Sequence, residues 1–463
     1  MEDKTMKNPK RILTGFVATL WMFMGTDVMG QGSLTPPGAP GETMKTLEEV
    51  YERTDPRTPI SSLPYTISEP GSYYLTGNLS STTNGIVIES SGVTVDLMGF
   101  SLRGDGTSSY PDYDYGIHVI SSTNAVIENL VVKGGRISGF YGGLYCQSMN
   151  NSRIEGLVVS DNTEHGVSLN DSNSGHCNGN TIADCTISGN GDKGVYLNGR
   201  EAQCNGNTIA DCTISDNGND GVYLFSSKAQ CNGNTIADCT ISGNGYYGVR
   251  LYGGSSSQCN GNTITDCTIS ENGDKGVYLY GYGGQCNGNT IADCTISENG
   301  DKGVYLYGYG GQCNGNTITD CTISENGDKG VYLYGYGGQC NGNTIADCTI
   351  SENGGYGVDL LGQFGQCNGN TIRENTVSRN SSRGISIYRS DGNRVEANTI
   401  WGTTGEGDTY GIRTALTTSN FILKNTCVGN GTNYELDSDD TFGPIVTSSG
   451  ALSGTDPWAN FSR

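Results

Sequence analysis

The sequence predicts an all-β fold, a right-handed single-stranded parallel β-helix with one coil per 27-residue repeat and capped ends. Three observations predict it. The 27 letters CNGNTITDCTISENGDKGVYLYGYGGQ at 259–285 return unchanged at 313–339, and the copy between them differs only at Ala292. Apolar residues inside the unit alternate with period two, as strands require, and show no helical period. Gly reaches 72 of 463 residues while apolar types make up only 34%, too few for one thick core and enough for a repeat that buries little per unit.

The elements follow in chain order. Lys7, Lys10 and Arg11 precede an apolar run at 12–25, and short residues follow, so 1–30 reads as a secretory signal peptide cleaved after Gly30. The mature protein is then exported, whether secreted, periplasmic or on the cell surface. No later segment is apolar enough to span a membrane. Residues 31–60 form a linker and a short N-terminal capping helix at 43–54, with Met44, Leu47, Val50 and Tyr51 on one face. The β-helix occupies 61–440, with near-identical repeats at 177–366. Residues 441–463 form a C-terminal cap segment, where Trp458 and Phe461 close the open core.

Within the unit, Ile264, Ile269, Val277 and Leu279 point inward while Thr263, Thr268 and Tyr278 point outward, giving three short strands separated by Gly and Asn corners. None can bury its inner face alone. Stacked on a copy of itself, each strand finds a parallel partner ~4.8 Å away. A repeat can be copied verbatim because its best neighbour is itself. CNGNT begins at Cys177 and recurs to Cys367 at steps of 27 or 28. Parallel crossovers are right-handed, which sets the hand of the coil.

Lys+Arg 26 against Asp+Glu 48 gives a net charge of −22. Such a surface repels phosphate backbones, which excludes nucleic acid as a partner. It also repels polyanionic sugars unless cations intervene.

The pattern NTIxxCTISxNGxxGVYL resembles the repeat of the carbohydrate-binding and sugar-hydrolase β-helix family, which overlaps the pectate-lyase-like superfamily and the periplasmic copper-enzyme maturation β-helices. Those repeats often carry Asn where this chain has Cys267; Asn375 and Asn398 keep it. PRTPISSLPYTISEPGSYYLTGNL and the DPWANF ending are similar to exported bacterial β-helix proteins. The resemblance covers roughly 31–463. It implies the fold and a polysaccharide or envelope glycan as partner. It leaves activity open among lyases, hydrolases, epimerases and proteins with no reaction.

Four ladders are candidate sites. Cysteines form two: Cys177 to Cys367, and Cys185, Cys212, Cys239, Cys267, Cys294, Cys321 and Cys348. They read as apolar filler at corners, as interstrand disulfides, or as a soft-metal site such as Cu(I). Asp184, Asp211, Asp238, Asp266, Asp293, Asp320 and Asp347 line an outer corner, held by Asx-type turns or by Ca²⁺. Asp105, Asp112 and Asp114 form a looser acidic loop, a further calcium candidate. Tyr196, Tyr223, Tyr278, Tyr305 and Tyr332, then Tyr280, Tyr307 and Tyr334, then Tyr282, Tyr309 and Tyr336 predict a flat aromatic face with hydroxyls to water, suited to sugar rings. Arg250, Asp359 and Arg413 interrupt its first row and are places to probe.

No catalytic constellation is evident. Asp437, Asp439 and Asp440 cluster in a loop, and His118, His165 and His176 fall on different coils. A copied unit offers many equal surfaces and no single asymmetric pocket, which favours multivalent binding or a scaffold. A polysaccharide lyase, hydrolase or epimerase with its site in an irregular flank, 105–150 or 373–440, is the alternative. A purely structural or adhesive rod is the third.

Overall fold

The computed structural model describes residues 56–107, 113–121, 125–170, 176–201, 203–403, 405, 409–447 and 456–463. The predicted signal peptide and capping helix lie outside the described residues. Every described element from Thr58–Ile60 to Asn460–Ser462 is a strand, and no described helix is long and apolar enough to cross a membrane.

Each coil of the repeat carries three strands, represented by Thr263–Thr265, Thr268–Ser270 and Val277–Tyr282. Each pairs in parallel with the same segment one coil further on, so like stands over like: Ile264 on Ile291, Ile269 on Ile296, Tyr278 on Tyr305. The third strand of every coil builds one 15-stranded sheet. The first two join into a 30-stranded sheet, because the long strands Val131–Ser138 and Arg153–Ser160 each run through both columns. Ile264, Ile269, Val277 and Leu279 are buried as the alternation predicts.

The corners differ from the sequence reading in three respects. Asp266 sits at φ 53° and its counterparts at similar angles, the left-handed region that Asp tolerates better than most residues. Its carboxylate accepts from the Thr265 hydroxyl at 2.7 Å and does not close an Asx turn. The corner itself is held by backbone, with Asp266 N–H donating to Ala292 C=O at 3.2 Å. Second, the asparagines lie inside. Asn262 Nδ2 donates to Asn289 Oδ1 at 3.0 Å, and the relay repeats through Asn316, Asn343, Asn370, Asn393 and Asn420 to end on the Asp440 carboxylate at 2.9 Å. A second buried column runs from Asn162 through Asn272 to Asn380. These amides satisfy corner N–H groups that no strand can reach. Third, all 17 cysteines are buried and free, so the disulfide alternative is not realised. Cys267 donates to the Thr265 carbonyl at 3.1 Å, and Asn375 takes over the same column by accepting from the Cys348 N–H at 3.0 Å.

At the C-terminal end, Asn460–Ser462 pairs with Thr426–Val428 as a further rung. Trp458 lies outside the core at 47% exposure, beneath the Lys424 ammonium.

Candidate functional site

Two rows run side by side along the third sheet. One is the tyrosine row. The other consists of the residue before each Gly-Val or Gly-Ile pair: His165, Lys193, Asp220, Tyr247, Lys275, Lys302, Lys329, Tyr356 and Arg383. In the copied coils the two rows satisfy each other. Lys275 Nζ lies 2.7 Å from Asp274 and 2.9 Å from Asp301 of the next coil, and Lys302 repeats this at 2.8 Å and 3.0 Å with Asp301 and Asp328. The same ammoniums stand over the Tyr278, Tyr305 and Tyr332 rings at 5.5 to 5.8 Å.

This corrects the predicted aromatic platform. Tyr223, Tyr278, Tyr305 and Tyr332 are only 6–8% exposed, covered by the lysines and by the next tyrosine row. Tyr278 and Tyr305 stack at 5.1 Å and 6°, Tyr280 and Tyr307 at 5.2 Å and 5°, so ring faces are spent on neighbouring rings. Burial and mutual repulsion push the Tyr305 phenol far above its ordinary range. Tyr280, Tyr307 and Tyr334 are half-buried, and exposed rings begin only at Tyr282 and Tyr309, 43% and 38% accessible. Arg250 fills a ring's place in the first row, 4.7 Å over Tyr223 and 4.0 Å from the buried Asp220. Asp220 is pushed up to about 6 by burial, against the pull of Arg250.

Besides Arg250, Asp359, Ser386 and Arg413, the row loses a ring near its N-terminal end. Ser168 stands in register between Tyr145 and Tyr196, where the repeat would place a ring. Gly142 stands one coil earlier where the repeat has Lys, and a Cβ there would meet the Tyr115 ring at 3.0 Å. Two small residues on adjacent rungs open a cleft of ≈ 220 Å³. Its walls are Tyr115 and Tyr145, stacked at 4.6 Å and 20°, and the Tyr113–Tyr141 pair at 4.7 Å. Asn170 Nδ2 donates to the Tyr145 hydroxyl at 3.0 Å and fixes that ring. The Ser168 hydroxyl, 98% buried with its residue, has no hydrogen-bond partner in the protein.

One wall is polar. Glu164 and His165 occupy the Asp and Lys positions of the repeat. His165 Nδ1 lies 3.5 Å from the Glu164 carboxylate and 3.3 Å from Asp192 of the next coil, the arrangement Lys has elsewhere. Lys193 pairs with Asp192 at 2.7 Å, and the Tyr141 hydroxyl bonds Glu164. Burial and the Lys193 ammonium push the imidazole down to about 4, so His165 is neutral at pH 7. Tyr196 meets His165 edge-on at 5.0 Å, so one predicted site residue packs against a cleft wall without lining the cleft. Tyr223, Arg250 and the repeat tyrosines are not brought there.

The remaining candidates scatter. Asp105 is exposed and caps the Thr107 N–H at 2.9 Å; Asp112 lies outside the described residues; Asp114 gives its carbonyl to the Tyr141 N–H at 2.9 Å. His118 packs on Tyr115 and Tyr145, and burial takes it down to about 4. His176 bridges to the first glutamine of a separate column, Gln203. Asp437 accepts from the Thr417 N–H, and Asp440 ends the asparagine relay.

The family model described as a right handed beta helix region matches residues 77–264 and 309–450. The chain belongs to that family. A second model, the periplasmic copper-binding protein NosD, matches residues 229–365, within the copied coils. No curated protein sequence matches the chain. Similar solved structures include a mannuronan C-5 epimerase A-module from Azotobacter vinelandii, 16% identical over 76% of this chain and 91% of that one, with TM-score 0.42. A periplasmic alginate epimerase is 12% identical over 78% of this chain and 79% of that one, with TM-score 0.45. The tailspike protein of an E. coli bacteriophage, in complex with a pentasaccharide, is 12% identical over 89% of this chain and 72% of that one, with TM-score 0.41.

Proposed function

We propose that this is an exported β-helix protein that binds polysaccharide at the cell envelope, and that it does so in the cleft where Ser168 interrupts the tyrosine row. One observation carries the reading: a ring-sized gap walled by tyrosines, with a buried hydroxyl left without a partner at its floor. Stacked and tilted tyrosines suit the apolar face of a pyranose ring, while Ser168, Glu164 and Asn170 supply hydrogen bonds at its rim. The periplasmic description of the NosD family, and polysaccharide-acting proteins among the similar structures, are in keeping with it. The copied coils then serve as a rod that carries the cleft.

A glycan array probed with the protein, followed by calorimetry on the best ligand, tests the reading. Ser168→Tyr restores the ladder and fills the cleft, so it should raise stability slightly and weaken glycan binding by at least about 100-fold, ~3 kcal/mol. Unchanged binding in that variant would refute the assignment.

A second reading, chemical processing of the bound chain, is favoured by the Tyr141–Glu164–His165 contact, because a neutral imidazole beside a carboxylate and a phenol can move a proton. Release of new chain ends from a polysaccharide panel separates it from binding alone.

A further inference from the structure

The rail of acids and cations beside the tyrosines balances over most of its length. Asp274, Asp301, Asp328 and Asp359 face Lys275, Lys302, Lys329 and Arg383. At the N-terminal end the rail is one cation short. Glu164, Asp192 and Asp220 face only Lys193 and Arg250, because the seat between Glu164 and Asp192 holds His165 where the repeat has Lys.

That seat has the shape of a metal site. The Lys193 backbone N–H points at His165 Nδ1 at a long 3.4 Å, so Nδ1 carries the lone pair on the side of both carboxylates, and an ion bound there replaces that contact. A tetrahedral ion with arms of about 2.1 Å holds its ligands about 3.4 Å apart. The Nδ1–Glu164 and Nδ1–Asp192 separations are 3.5 Å and 3.3 Å, and the three ligand atoms all lie within 4.8 Å of one another. Lys193 Nζ lies 2.7 Å from the same Asp192 oxygen that faces His165, so an ion seated there shares that oxygen with the ammonium or displaces it. The unpartnered, buried Ser168 hydroxyl lines the same cleft, a second polar group that the protein itself leaves unsatisfied.

We infer that Glu164, His165 and Asp192 bind one divalent first-row transition metal ion of the zinc type, which supplies the charge that Lys supplies in the other coils. An imidazole nitrogen with two carboxylate oxygens suits Zn²⁺, Co²⁺ or Ni²⁺ better than Ca²⁺, which takes oxygen ligands only. Three protein ligands leave a fourth position open, and two of the three, Glu164 and His165, line the cleft. This inference does not depend on the polysaccharide reading, since it concerns the ion alone.

The test is cobalt titration of the tag-free full chain after chelator treatment. One equivalent should bind and give weak visible absorption bands from an oxygen–nitrogen site. His165→Lys rebuilds the repeat's own ion pair, so it should keep the melting temperature or raise it while weakening cobalt binding by about 100-fold or more. Glu164→Gln should weaken it in the same direction. The inference is overturned if the wild-type chain takes up no cobalt, if His165→Lys takes up as much, or if an intense near-ultraviolet thiolate band places the ion on the cysteines instead.

Discussion

The copied coils at 259–339 and the single coils around Tyr145, Ser168 and Tyr196 share one backbone plan and do opposite things with it. In the copied coils every ring stacks on a ring and every ammonium sits between two carboxylates, so the outer surface of the third sheet is saturated. Around Ser168 the same positions hold a serine, a glycine and a histidine, and the surface opens. The lesson is that repetition builds stability, while the departures from it leave polar groups and space unspent.

The largest effects should separate the two regions by readout. Tyr145→Ala removes a cleft wall and should reduce glycan binding by about 100-fold, ~3 kcal/mol. Tyr305→Ala, in a copied coil, should leave binding unchanged and lower unfolding free energy by about 3–5 kcal/mol, as for a buried aromatic. Equal losses of binding in both variants would erase the distinction. Next comes acid. His118 and His165 fall from 6.5 to about 4 in the folded chain, so the stability they confer is complete above pH 6.5 and is lost as pH falls towards 4. Each share is at most about 3 kcal/mol. Asp220 and Asp359, both raised to about 6, act in the opposite sense between pH 6 and 4, so variants must be compared with wild type at each pH. His165→Lys should melt progressively later than wild type as pH drops through that window. Asn299→Ala cuts a buried relay and should cost about 1–3 kcal/mol in denaturant unfolding. Smallest of all, deletion of 286–312 joins identical neighbours and should leave glycan and cobalt binding unchanged and the melting temperature nearly so.

The fold was legible because period-two alternation and verbatim repetition both report burial directly. Ile264, Ile269, Val277 and Leu279 could be placed from spacing alone. Tyr278 could not, since alternation says which side of the strand a residue takes, and not whether Lys275 and Tyr280 will cover it there. Asn272 lies at a corner as expected, but its worth there comes from the amide one coil away, which a single side chain's turn preference does not show. Ser168 and His165 did carry a signal. Aligning 165–169 with 193–197 sets His on Lys and Ser on Tyr, a signal that lies in what the coil lacks and not in any motif it carries.

The asparagine relay through Asn262 and Asn289 has a sense as well as a length. Every amide donates one N–H to the next coil and accepts from the coil before, so these bonds run head to tail as peptide bonds do in a helix. Such a column gathers partial positive charge at the end where its last donors emerge. Asp440 receives the final donor there, while at the opposite end the Ser152 N–H meets the Asn180 carbonyl oxygen. The acidic run ELDSDD therefore acts as an electrical terminus, and a rod of any number of coils needs only one.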